Sequence, residues 1–137
     1  MRILVIEDHA DLRAYLRLAL ESVDFQVLTA ENGRAALNHI KDHRIDVVLT
    51  DVFMPEMDGI ETIAEIRKRF PDIKVIAMSG KRGDLYLNVA RELGASRIFR
   101  KPFDINELIA DLRRLGTPAP ADGPARSRSE SDADPSA

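Results

Sequence analysis

Asp46-Val47-Val48-Leu49-Thr50-Asp51-Val52-Phe53-Met54-Pro55 is the stretch on which the fold turns. A strand with one wet face alternates apolar and polar residues. Here the run through Leu49 is apolar at successive positions and β-branched at two of them, so both of its faces must be covered, as happens where helices pack on either side of a parallel sheet. The strand spans Asp46 to Thr50, Asp51 stands at its carboxyl end, and Pro55 closes the extended segment beyond it. Two further runs read the same way, Ile3-Leu-Val-Ile6 and Lys74-Val-Ile-Ala-Met78, and these three are the central strands. Phe25-Gln-Val-Leu-Thr29 and Arg97-Ile-Phe-Arg100 complete a set of five.

Segments of helical period separate the strands. Leu12, Leu16 and Leu20, with Tyr15 and Ala19 alongside, put an apolar stripe on a helix from Ala10 to Val23. Asn32 can cap a second helix carrying Ala36, Leu37 and Ile40, and Asp58 a third carrying Ile60, Ile63, Ala64 and Ile66. Asp84 can cap a fourth with Leu85, Val89 and Leu93, ended by Gly94. Asp104 can cap a fifth with Leu108, Ile109 and Leu112, before Gly116. Strands alternating with helices predict an α/β fold, a doubly wound five-stranded parallel sheet in the order 2-1-3-4-5 with five helices.

At 137 residues the chain has the length of one domain. Residues 1–116 form that domain in this reading. Residues 117–137 hold four of the seven prolines and no large apolar residue, which predicts a disordered tail or the start of a linker. A net charge of -3 gives no electrostatic case for direct nucleic-acid or anionic-membrane binding. The absence of cysteine excludes disulfides, zinc thiolates and thiol chemistry. No stretch reads as a signal peptide or a membrane span, and the expected location is the cytoplasm.

In an open parallel sheet the loops at the carboxyl ends of the strands form the site. Glu7 and Asp8 follow the first strand, Asp51 ends the third, Ser79 follows the fourth, and Lys101-Pro102 follows the fifth. Taken singly, each has an ordinary structural use as a cap, a turn residue or a solvated charge. Taken together, they bring three carboxylates, a hydroxyl and an ammonium to one rim. Three carboxylates at close range stay ionised only if a cation neutralises them, and Mg2+ favours such oxygen donors together with a phosphate. Lys101 and Ser79 suit the oxygens of a phosphoryl group in transfer. With no cysteine and no base placed to activate a serine, the nucleophile is a carboxylate, and Asp51 is the best placed.

These residues resemble the receiver domain of two-component signalling, of the chemotaxis-regulator kind. The resemblance covers Met1 to about Leu115 and rests on Ile-Leu-Val-Ile-Glu7-Asp8, Val-Val-Leu-Thr-Asp51-Val-Phe-Met-Pro55-Glu-Met-Asp-Gly59, Val-Ile-Ala-Met-Ser79-Gly and Lys101-Pro102-Phe103. It implies the flavodoxin-like receiver fold, with Asp51 as phosphoacceptor. Glu7, Asp8, Asp51 and the backbone carbonyl of Phe53 would hold Mg2+. Ser79 would be the switch hydroxyl and Lys101 the lysine that meets the phosphoryl group, while Pro55 and Gly59 shape the loop after the third strand. A cis bond between Lys101 and Pro102 is also implied. The implied partners are a histidine kinase or histidine phosphotransfer protein and a downstream target protein, and the resemblance admits a homodimer that forms on phosphorylation. Such a chain is a signalling switch that catalyses only its own phosphorylation and dephosphorylation, and it is not otherwise an enzyme.

The sequence departs from the family pattern in two ways. Ile98 stands three residues before Lys101, where many members carry Tyr or Phe, and Phe99 is expected to face the opposite side of the sheet. Phe53 and Lys81 lie two residues past Asp51 and Ser79, where bulk near the acyl phosphate predicts slow self-hydrolysis. The kinase is expected near Asp11, Leu12 and Tyr15, and the target on the face of the fourth helix, fifth strand and fifth helix, around Arg82, Tyr86, Arg97 and Arg100. His9, His39 and His43 read as helix-end residues rather than phosphohistidine or metal sites. The alternatives are a phosphate-independent interaction module or an aspartyl-phosphate phosphatase, although the latter generally needs a second carboxylate where this chain has Phe53. A flavin carrier lacks its Gly/Ser/Thr-rich phosphate loop, and a P-loop hydrolase lacks its Gly-rich motif.

Overall fold

The computed structural model describes residues 1–52, 59–80 and 84–116, with the side chains of residues 84–86 outside that description. The elements run β1 (Arg2–Ile6), α1 (Ala10–Glu21), β2 (Gln26–Ala30), α2 (Gly33–Asp42), β3 (Val47–Asp51), α3 (Gly59–Arg69), β4 (Lys74–Ser79), α4 (Asp84–Glu92), β5 (Arg97–Arg100) and α5 (Ile105–Gly116). All strand pairs are parallel and the order is β2-β1-β3-β4-β5. The three apolar runs are the interior strands, and all five residues of β3 are buried.

Two cores lie on opposite faces of the sheet. On one, Leu4, Ile6, Val48, Val75 and Ala77 meet Ala36 and Ile40 of α2, Ile63 and Ile66 of α3, and Leu87 and Ala90 of α4. On the other, Ile3, Val5, Leu49, Ile76 and Met78 meet Leu16 and Leu20 of α1 with Leu108 and Leu112 of α5. Successive strand residues thus alternate between the cores, and the unbroken apolar runs are apolar because both faces are dry.

The helix signals hold with small shifts. The Asn32 side chain accepts a hydrogen bond from Ala35 N–H at 2.8 Å, and Asp104 Oδ1 accepts from Asn106 N–H at 2.8 Å. α4 opens on Asp84 itself rather than after it. Its inward residues are Leu87, Ala90 and the partly buried Leu93, whereas Val89, expected on the stripe, is exposed. Leu87, Ala90 and Leu93 recur at spacings of three, and that row rather than the spacing of four faces the sheet. α1 stops at Glu21, two residues short of the expected Val23. Gly94 has φ 108° and closes α4, its N–H donating to Arg91 O and that of Ala95 to Ala90 O. Asp24, at φ 74°, closes α1 by the same pattern. The Asp58 cap and the tail fall outside the described residues.

Candidate functional site

The strand register brings the site together. Ile6 pairs with Thr50, so Glu7 and Asp51 are the next residues on neighbouring strands. Asp51 pairs with Met78, which leaves Ser79 one step further along β4, and Ser79 pairs with Arg100, which Lys101 follows. Lys101 N–H donates to Ser79 O at 2.7 Å and ties the loop after β5 to the end of β4. Glu7, Asp51 and Ser79 are buried at 1%, 6% and 1% exposure, whereas Asp8 stands exposed at the rim.

Lys101 Nζ donates to Asp51 Oδ2 at 2.6 Å and to Glu7 Oε1 at 2.9 Å. One carboxylate oxygen each from Glu7, Asp8 and Asp51 lies within 4.8 Å of the others, and among the described residues this is the cluster able to hold a metal. The loop carrying the first two is pinned by Glu7 N–H donating to Ala30 O at 3.0 Å, by His9 N–H donating to Glu7 Oε2 at 3.1 Å, and by the Arg13 guanidinium donating to Glu7 O at 2.8 Å. Thr50 Oγ1 donates to Asp51 O at 2.9 Å. Gly59 begins α3 directly against this strand end: a Cβ there would lie 2.1 Å from Asp51 O and 2.3 Å from Val52 Cα, so only glycine fits.

Burial raises the Glu7 carboxyl above its ordinary value, opposed by the Lys101 hydrogen bond and reinforced by the charge of Asp51. Burial works to lower Lys101, but its hydrogen bonds to Asp51 and Glu7 prevail and hold it above the usual lysine value. A single ammonium cannot neutralise three carboxylates, and the cluster offers only hard oxygen donors. Those donors fit a small divalent cation such as Mg2+, with Glu7, Asp8 and Asp51 as the residues that would hold it.

Of the residues picked out from the sequence, Glu7, Asp8, Asp51 and Lys101 converge, and Ser79 closes the same rim. The Phe53 carbonyl, Pro55, Lys81 and Arg82 lie outside the described residues, as does the side chain of Tyr86. The Lys101-Pro102 bond is cis. Ile98 packs into the core beneath α4, while Phe99 faces the other core with its ring 5.5 Å from that of Phe103, the opposite facing that strand alternation predicts. Arg97 is engaged, 3.4 Å from Asp111 of α5. His39 and His43 sit at the end of α2, where His43 Nδ1 lies 3.3 Å from His39 O. Leu12 and Tyr15 line a groove of about 410 Å³ with Gly80, Lys101, Pro102, Phe103 and Ile105, beside the acidic cluster. Arg13 escaped the sequence reading. The only signal was a cation in the first turn of the helix that follows Glu7-Asp8.

A sequence model described as the response regulator receiver domain matches residues 3–113. Response regulator MprA of Mycolicibacterium vanbaalenii is 33% identical over 115 residues, covering 84% of this chain and 50% of that protein. Response regulator receiver protein CpdR of Brucella abortus is 31% identical over 115 residues, covering 83% of this chain and 95% of that protein. The chain spans about half the length of the first curated relatives it matches. Among solved structures, response regulator TrrA of Thermotoga maritima in complex with Mg2+ and BeF aligns with a TM-score of 0.74 and 31% identity, over 83% of this chain and 97% of that one.

Proposed function

Since the chain belongs to the response regulator receiver domain family, we propose that it is a phosphorylation switch in which Asp51 accepts a phosphoryl group from a phosphohistidine on a histidine kinase or phosphotransfer protein. The observation that carries this reading is the placement of Asp51. It ends the central strand, buried, in contact with the Lys101 ammonium and within metal-binding reach of Glu7 and Asp8. An Asp51 carboxylate oxygen forms the new P–O bond as the donor's P–N bond breaks, and the imidazole leaves with the electron pair. Glu7, Asp8 and Asp51 would hold Mg2+, joined in this reading by the Phe53 carbonyl. Once bound, the ion supplies positive charge against the phosphoryl oxygens. Lys101 offers its ammonium to one of those oxygens, and the Ser79 hydroxyl donates to another.

The groove lined by Leu12, Tyr15, Phe103 and Ile105 adjoins Lys101 and suits docking of the phosphodonor. The output surface is the face of α4, β5 and α5, where Val89 is exposed. We read residues 1–116 as the receiver unit, 117–137 as a tail or linker, and the cytoplasm as its place of action.

The test is uptake of phosphate from a small acyl-phosphate donor, read by intact mass with and without Mg2+, for the wild type and Asp51→Asn. The expected result is a single Mg2+-dependent adduct that the substitution abolishes. No adduct on the wild type would move the assignment to a phosphate-independent interaction module.

A further inference from the structure

Three carboxylates meet at the rim, yet only two are held by side-chain contacts. Glu7 is gripped by Lys101 and by His9 N–H, and Asp51 by Lys101. Among the described residues, Asp8 receives no side-chain hydrogen bond or ion pair, and it is exposed. The place from which it projects is therefore set by the backbone that carries it. The Glu7 carbonyl belongs to the rigid peptide plane that joins Glu7 to Asp8, so a hydrogen bond to that oxygen fixes the rotation of the plane and with it the position of the Asp8 Cα from which the carboxylate projects. The bond to that oxygen is the one from Arg13, at 2.8 Å. Arg13 is itself anchored, because its N–H donates to His9 O at 2.9 Å and its side chain is partly buried on α1. A residue on a rigid helix thus reaches back across the loop, the arrangement by which outer residues orient metal-holding ones.

We propose that Arg13 is the positioning residue for Asp8, aiming that carboxylate at Glu7 and Asp51 so that the cluster binds Mg2+. The proposal rests on the receiver reading only for the identity of the ion. The charge of Arg13 works in the opposite sense: a cation near the cluster repels Mg2+, so removing the charge alone would tighten binding. The two effects therefore differ in sign.

The experiment titrates Mg2+ into the full chain by calorimetry for the wild type, Arg13→Ala and Arg13→Lys, alongside thermal melts without metal. The same titration is then followed through phosphate uptake from the acyl-phosphate donor. Arg13→Ala should weaken Mg2+ binding about tenfold. The Mg2+ dependence of its phosphate uptake should move to higher Mg2+ by the same factor. Arg13→Lys keeps one donor and should fall between the two. Unchanged or tighter Mg2+ binding in Arg13→Ala would overturn the proposal, as would a loss of metal-free stability with no change in Mg2+ affinity in either variant. If the wild type binds Mg2+ but takes up no phosphate, the receiver reading fails while the calorimetry still decides the role of Arg13. If the wild type binds no Mg2+, both fail.

Discussion

The two ends of the sheet are built on opposite terms. At the amino ends of the strands, charged side chains are matched to backbone groups. Asp46 Oδ2 accepts from Arg2 N–H at 2.8 Å, and the Arg67 guanidinium donates to the carbonyls of Pro71 and Ile73, both at 3.1 Å. At the carboxyl ends, Glu7, Asp8 and Asp51 crowd one another, and Lys101 pairs with two of the three. The amino end spends its polar groups on holding the fold. The other end keeps like charges together, an arrangement that lowers stability and marks a candidate site for a cation.

The largest effect expected is at the junction between the site and the scaffold. Gly59→Ala would push a methyl group to 2.1 Å from Asp51 O and 2.3 Å from Val52 Cα, and backbone atoms cannot swing aside as a flexible side chain can. We expect a loss of more than about 4 kcal/mol, or failure to fold, with phosphate uptake abolished. A variant that melts within a few degrees of the wild type would show that α3 does not start hard against β3. At the amino end, Arg67→Ala removes two hydrogen bonds from a charged donor to carbonyls of the α3–β4 loop. It should cost about 1–2 kcal/mol in chemical denaturation, the lower part of the range because the group is only partly buried. Mg2+-dependent phosphate uptake should be unchanged. A folded Arg67→Ala that took up phosphate poorly would break the separation of the two ends.

That separation also explains what the sequence could and could not disclose. The carboxyl end was legible because its residues are chemically distinctive and follow strands whose apolar runs are unambiguous. Glu7, Asp8, Asp51 and Lys101 could be placed at one rim from strand order alone. The amino end was nearly silent, since Arg67 and Asp46 act on backbone groups that no residue pattern reveals. Arg13 was missed for the same reason, its partner being a carbonyl. Helix α4 misled at Val89, because Leu85, Val89 and Leu93 and the row through Leu87, Ala90 and Leu93 are both helical stripes, and only packing on β4 and β5 selects between them. Asp24 closes α1 with φ 74° where glycine would be the ordinary signal, so nothing in the sequence marked that end.

The smallest predicted effect probes the electrostatic half of the contrast directly. Burial raises the Glu7 carboxyl in the folded protein above its unfolded value of 4.5. As pH climbs past that value, the unfolded chain gives up its proton first, and the metal-free fold loses stability until Glu7 has also ionised. The loss is complete once the pH has passed the raised folded value. Lys101, also raised, contributes stability that persists until the pH passes its folded value, above the ordinary 10.5, and so does not obscure the window. Glu7→Gln mimics the protonated state and still offers Lys101 an acceptor. Without metal at pH 7 it should melt a few degrees above the wild type, the shift about 1 kcal/mol gives in a domain of this length. The gain should vanish below about pH 4, where the wild type is protonated folded and unfolded alike. Added Mg2+ should reverse the order, stabilising the wild type through RT ln(1 + [L]/Kd) and the variant much less. A Glu7→Gln protein less stable than the wild type at neutral pH without metal would mean that the Lys101 contact outweighs the burial and repulsion of the carboxylate, and that the acidic end carries no electrostatic penalty for a cation to relieve.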